Sequence, residues 1–212
     1  MRLYIVRHGA TDWNQAHKIQ GAVDIPLNEQ GCRQAQNIAH RLADIPLQRI
    51  FSSPLSRAYQ TAQAIAAPHG LCVEEESALS ELGFGRWEGD NFRHIAQTEP
   101  DLYHTFRHHP EQMVMPGGQS LAQRLAQSVQ FVQQTLWPLE YTCEHVAIVS
   151  HAYGIRLLMA ALFDAPLTLT TRFFFPNTSL TIVKLEANQA SLWLLGDDHH
   201  NDQQANGGAH IE

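Results

Sequence analysis

The chain has 212 residues, 44% of them hydrophobic and 17% charged, enough apolar material for one sizeable core and too balanced for a disordered or fibrous chain. Fourteen Lys and Arg stand against 21 Asp and Glu, a formal net charge of -7, which argues against broad affinity for nucleic acid or an anionic membrane. The cysteines, Cys32, Cys72 and Cys143, are odd in number and far apart; they suggest neither a disulfide framework nor a zinc site and are read as small buried residues.

Met1-Arg2 leads straight into Leu3-Tyr4-Ile5-Val6, an apolar β-rich run that ends abruptly in Arg7-His8-Gly9. That is the pattern of a buried strand delivering polar residues at its C-terminal end, where open α/β sheets place ligands. It does not resemble a signal peptide, and no stretch is long enough to cross a bilayer, so the expected location is the cytoplasm. Asn28 reads as an N-cap for a helix carrying Cys32, Ala35, Ile38, Ala39 and Leu42 on one face until Pro46. A second strand, Arg49 to Ser53, precedes a helix from about Leu55 to Ala67, closed by Pro68 and Gly70.

Leu71 to Glu75 reads as a third strand, and Glu81 to Gly89 as a loop with three glycines and Trp87. The histidine-rich stretch from Asn91 to Met115 fits two short helices separated by Pro100, an insertion covering one end of the sheet. Leu121, Leu125, Val129, Val132 and Leu136 mark one face of a helix over 119–136, which ends near Pro138. Val146 to Ser150 is the clearest buried strand; His151 follows it, ahead of a helix with Ile155, Leu158, Met159 and Leu162. Leu180 to Leu185 and Leu192 to Leu195 form a closing hairpin around Ala187-Asn188-Gln189. The expectation is a three-layer α/β sandwich with a mainly parallel sheet over 1–196, a small helical insertion at about 90–116, and a polar, flexible tail over 197–212.

His8 and His151 each follow a strongly apolar strand, which puts both at one edge of the same sheet. Position separates them from the other histidines of the 13 in the chain. Arg7 beside His8, and Arg57 at the start of the helix after the second strand, could converge there, and a guanidinium fork suits phosphate. Gly9 would permit close backbone approach, and Asn14 could donate to a phosphate oxygen.

The stretch Arg7-His8-Gly9-Ala10-Thr11, then Trp13-Asn14, Gln20-Gly21, Asp24, Pro26-Leu27 and Gly31, resembles the histidine phosphatase superfamily, the phosphoglycerate-mutase-like fold. The resemblance continues through Ser52-Ser53-Pro54-Leu55-Ser56-Arg57-Ala58, Gln60-Thr61-Ala62, Glu81 with Phe84-Gly85 and Trp87-Glu88-Gly89, Pro116-Gly117-Gly118, Val149-Ser150-His151 and Asn177-Thr178-Ser179. These blocks follow the family's order over nearly the whole chain before the tail.

The resemblance implies a phosphomonoester hydrolase that acts through a phosphohistidine intermediate and needs no metal or other cofactor. His8 would be the nucleophile, Arg7, Arg57, Asn14 and His151 would hold the phosphoryl oxygens with Gln20 and Gly21 beside them, and Glu81 would be general acid and then base. The expected partner is a small-molecule phosphomonoester, with nucleic acid and membrane excluded and a homodimer allowed. Phe84-Gly85 with Trp87-Glu88-Gly89 looks like the phosphatase branch, near α-ribazole phosphatase and broad-specificity phosphomonoesterases. Cofactor-dependent mutases usually carry a Glu-x-x-Tyr stretch and a more basic segment here, whereas 90–115 offers only Arg93 and Arg107 besides histidines. Ala10 stands where the family often has Glu or Gln, and Gln119 where many phosphatases have Glu; both bear on substrate preference.

Phosphoglycerate mutase is the alternative, and an inactive phospholigand-binding protein on the same fold a second, against which the retention of both histidines, both arginines and Glu81 argues. A zinc hydrolase is disfavoured because no HExxH-like ligand spacing accompanies the paired His108-His109 and His199-His200.

Overall fold

The computed structural model describes residues 1–204. Strands β1 (Arg2–Arg7), β2 (Arg49–Ser52), β3 (Val73–Glu75), β4 (His145–Ser150), β5 (Leu180–Glu186) and β6 (Gln189–Asp197) form one sheet in the order β3-β2-β4-β1-β5-β6. The first four run parallel, and β5 and β6 add an antiparallel hairpin. Ala187 and Asn188 turn that hairpin at positive φ, as a tight turn matched to strand twist requires; Gln189 already belongs to β6.

Alternation along each parallel strand sends side chains to two cores. Leu3, Ile5, Val146 and Ile148 pack on one face against α5 (Leu121–Phe131), its π-helical extension Val132–Leu136, and α6 (Ala152–Leu162). Tyr4, Val6, Ile50, Ala147 and Val149 pack on the other against α1 (Glu29–Leu42) and α2 (Ser56–Ala66). The result is a helix-sheet-helix sandwich. Asn28 caps α1 by accepting from the Gly31 N–H. Gly31 also lies against the loop after β1, so closely that a Cβ there would come within 2.0 Å of the Ala10 carbonyl.

A third apolar cluster lies beyond the sheet edge, where α3 (Phe92–Thr98) and α4 (Pro100–His108) fold over Phe84, Trp87, Tyr153 and Leu157. Pro100 opens α4, a position where its missing N–H costs no helical bond.

Two expectations are corrected. Cys32 and Cys72 are exposed and Cys143 half-buried; Cys32 falls on the rim of the α1 stripe, and Cys72 lies just before β3 at the sheet edge. The flexible tail does not begin at 197. Asp197 pairs with Arg41 of α1 at 2.5 Å, Arg41 also donates to His200 Nδ1, and Asn201 donates to Thr178 Oγ1. Residues 205–212 of that expectation lie outside the described residues. Among the described residues no helix is long and apolar enough to cross a membrane.

Candidate active site

The connection from β1 through α1 enters β2 past β4, whereas that from β4 through α6 ends in β5 past β1. The chain therefore leaves these neighbouring strands in opposite directions, which opens a crevice at their C-terminal ends. Arg7 pairs in register with Ser150, and the His8 N–H donates to the Ser150 carbonyl. His8 and His151 consequently face each other with ring centroids 5.0 Å apart.

His8 is 2% exposed. Its Nδ1 lies 2.7 Å from the Gly9 carbonyl, which can only accept, so Nδ1 carries the proton and Nε2 keeps a free lone pair. Burial, then the charges of Arg57 and Arg7, hold the ring well below the ordinary histidine range. It is a neutral imidazole at pH 7. Asn177 Nδ2 and the Thr178 N–H both donate to the His8 carbonyl and lock its backbone.

Arg57 is fully buried and spends one contact from each nitrogen on the protein: Nε to His151 Nδ1, Nη1 to the Val23 carbonyl and Nη2 to the Gly21 carbonyl. Each Nη keeps one N–H for a ligand. Arg7 Nη1 donates to the Phe175 carbonyl at 2.5 Å while its buried Nε has no partner. Burial lowers the Arg7 pKa to about 10, with Glu81 opposing and Arg156 and Arg57 adding to the fall; it stays charged.

His151 departs from expectation. Its Nδ1 accepts from Arg57, so its Nε2 bears the proton and donates to Ser53 Oγ at 2.8 Å. With both ring nitrogens occupied, and the ring outside the cavity wall, His151 stands behind Arg57 and orients it instead of presenting a donor to a ligand. Burial, followed by the charges of Arg57, His8, Arg7 and Arg124, holds it well below the ordinary value.

Glu81 Oε1 accepts from the backbone N–H groups of Leu82, Tyr153 and Gly154, the last two at the N-terminus of α6, which fixes the carboxyl group at the cavity wall. Asn14 Oδ1 takes the Thr11 N–H and hydroxyl, which fixes the amide so that Nδ2 remains free to donate. Gln20 lines the cavity with a buried, partnerless Oε1, and Gly21 lines it while its carbonyl holds Arg57.

The cavity, about 280 Å³, is thus walled by Arg7, His8, Asn14, Gln20, Gly21, Arg57 and Glu81. Sequence reasoning assigned none of the other wall residues to the site, among them Phe84, Tyr153 and Arg156 from the core side, Phe92, Phe106 and Arg107 from the insertion, and Lys18. Ser53 and Asn177 stood in the family-like blocks without a role in the site; the structure ties Ser53 to His151 and Asn177 to the His8 carbonyl. Arg156 lies five residues past His151, on the helix that His151 caps, and that nearness was the one signal available. Among the described residues no group of three His, Cys, Asp or Glu is placed to hold a metal ion.

The sequence profile of the histidine phosphatase superfamily (branch 1) matches residues 3–198. Among similar proteins, phosphoserine phosphatase 1 of Hydrogenobacter thermophilus is 30% identical over 189 residues, 88% of this chain and 87% of that protein. A probable phosphoglycerate mutase of Yersinia pestis is 31% identical and covers 97% of both chains. The crystal structure of α-ribazole phosphatase from Shigella flexneri superposes with a TM-score of 0.82 at 26% identity, covering 93% of this chain and 97% of that one.

Proposed function

Because the chain belongs to the histidine phosphatase superfamily, branch 1, we propose that it hydrolyses a small phosphomonoester in two steps through phosphorylated His8. One observation carries this reading: the free Nε2 lone pair of a neutral, buried histidine faces a cavity that also holds two buried guanidinium groups and one carboxylate.

His8 Nε2 attacks phosphorus; the N–P bond forms as the ester P–O bond breaks. The Gly9 carbonyl accepts from the Nδ1–H of the imidazolium that results, and Arg7 and Arg57 offset charge on the equatorial oxygens. Glu81, in its acid form, gives its proton to the departing alkoxide, which leaves as the alcohol. The resulting carboxylate then takes a proton from water; that oxygen attacks phosphorus, the N–P bond breaks, and phosphate leaves with His8 again neutral. His151, held by Ser53, keeps the Arg57 fork aimed at the phosphoryl group.

Relatives of comparable similarity bear both phosphatase and mutase names, so a name alone does not choose between hydrolysis and transfer. The insertion supports hydrolysis: it is short, and only Arg107 among its charged side chains reaches the cavity wall, in place of the longer and more basic segment that the mutase pattern carries there. The test is turnover of nitrophenyl phosphate and of 3-phosphoglycerate with and without 2,3-bisphosphoglycerate. Release of inorganic phosphate, abolished in His8→Ala with the fold intact, is expected; conversion to 2-phosphoglycerate without phosphate release would replace hydrolysis by mutase transfer.

A further inference from the structure

Arg156 is unused by the chemistry above. It sits on α6 with its guanidinium 5.1 Å from the centre of the Tyr153 ring, one wall of the cavity, and its buried Nε has no hydrogen-bond partner. A buried charged donor left unpaired is costly, and such groups persist where a ligand completes them. Its charge also reaches Arg7 and lowers the pKa of that group. At Arg156 itself burial lowers the pKa, Tyr153 and Glu81 oppose the fall, and Arg107 of the insertion adds to it.

The charges of the cavity point the same way. Five cationic side chains, Arg7, Lys18, Arg57, Arg107 and Arg156, face the single carboxylate of Glu81, in a chain whose net charge is -7. A phosphomonoester brings at most about two negative charges, and Arg7 and Arg57 suffice for them. The cations beyond those two are unmatched by a plain ester. At about 280 Å³ the cavity is also at the lower end of the range for small-molecule sites, roughly 300 to 1,000 Å³. It suits a compact acid better than a large aromatic nucleoside.

Resting on the phosphohydrolase reading, we infer that Arg156, assisted by Arg107, forms a second anion subsite, and that the substrate is a phosphomonoester carrying another acidic group, a carboxylate or a second phosphate, a few bonds from the ester. The guanidinium fork of Arg156 takes that group bidentately, which fixes the substrate by both ends across the cavity.

The experiment compares kcat/KM for three esters that share a glycerol frame: 3-phosphoglycerate, glycerol 1,3-bisphosphate and glycerol 3-phosphate, in which the acid is a neutral hydroxymethyl group. The parent enzyme should favour at least one acidic ester over the neutral one by about 10- to 100-fold, the range of one charge-assisted contact. Which acidic ester leads tells carboxylate from phosphate. In Arg156→Gln this preference should collapse, with the acidic ester losing far more than the neutral one, and Arg156→Lys should restore part of it. Should the glutamine variant not fold, the lysine variant must by itself lower the preference, because a point charge cannot reproduce the fork. Equal kcat/KM for acidic and neutral esters in the parent, or a preference that survives Arg156→Gln, would overturn the inference. Nitrophenyl phosphate turnover by the parent separates the two readings: its absence sinks the phosphohydrolase, whereas its presence with no acid preference sinks only the subsite. If the parent turns over none of the glycerol esters, their strength as competitive inhibitors of nitrophenyl phosphate hydrolysis gives the same comparison.

Discussion

At the scale of single residues, the histidines illustrate how one hydrogen bond assigns a role. Gly9 fixes the His8 proton on Nδ1 and frees Nε2, whereas Arg57 fixes the His151 proton on Nε2 and leaves that ring with nothing to offer a ligand. The strand-end positions of both were legible in sequence, because a short apolar run halted by a polar residue is a local pattern. The division of labour was not, since it depends on which long-range partner meets each nitrogen. The role proposed for Glu81 has a consequence that depends on the leaving group. An alkyl ester departs as a strongly basic alkoxide and needs the proton in the transition state, whereas nitrophenolate leaves with little help. Glu81→Gln is expected to slow single-turnover cleavage of an alkyl phosphate by about 10²- to 10⁴-fold and of nitrophenyl phosphate far less. Equal losses would reduce Glu81 to a positioning group.

At the scale of elements, the site depends on α6 pressing against the loop that carries Glu81. Gly154 makes that approach possible. A Cβ there would meet Ser150 Oγ at 2.5 Å and the Ser80 and Leu79 carbonyls at 3.1 and 3.2 Å, and Ser150 Oγ is itself tied to Leu79. Arg124 holds the same loop from the other side, donating to the Ser80 carbonyl at 2.7 Å and to that of Ala78. Gly154→Ala should therefore cost about 1–3 kcal/mol of stability by overpacking and, by displacing Glu81, lower alkyl ester turnover more than nitrophenyl ester turnover. Denaturant unfolding together with the two rates checks this; a fully stable variant with both rates intact would show that the contact has slack. The helix over 119–136 was readable from its apolar spacing, but Arg124 and Ser128 on its buried face were not. Their burial comes from the loop packed over them, which no helical periodicity announces. Arg156 escaped notice for the same reason: alone on a helix it reads as solvated, and the insertion that roofs it lies about fifty residues away in sequence.

At the scale of the whole molecule, the fold class followed from strand-helix alternation, and the crevice followed from chain direction at β1 and β4. The anchoring of residues 197–201 and the exposure of Cys32 and Cys72 did not, because short polar segments and small side chains carry little periodic signal. Burying two uncharged histidines links the site to global stability. In the unfolded chain both titrate near 6.5, while in the fold both are held well below that value by burial and neighbouring arginines. As pH falls through 6.5 the unfolded state takes up protons that the folded state refuses, so stability is present above that pH and declines below it. Between pH 7.5 and 5.5, without phosphate, urea unfolding should lose roughly 2–3 kcal/mol from these two groups, and replacing both by Gln should flatten the slope. An equal stability at the two pH values would contradict the neutral assignment.

The central claim is that the phosphoryl group rests on His8 between the two steps. Its most direct test uses Glu81→Gln mixed with nitrophenyl phosphate, quenched into alkaline denaturant to preserve phosphohistidine, and read by intact and peptide mass. Phosphorylation needs little help from an acid with this ester while water attack needs the missing base, so the adduct should accumulate on the peptide containing His8 and be absent from Glu81→Gln combined with His8→Ala. Nitrophenolate released without any protein-bound phosphoryl group, or an adduct on His151 instead, would contradict the account.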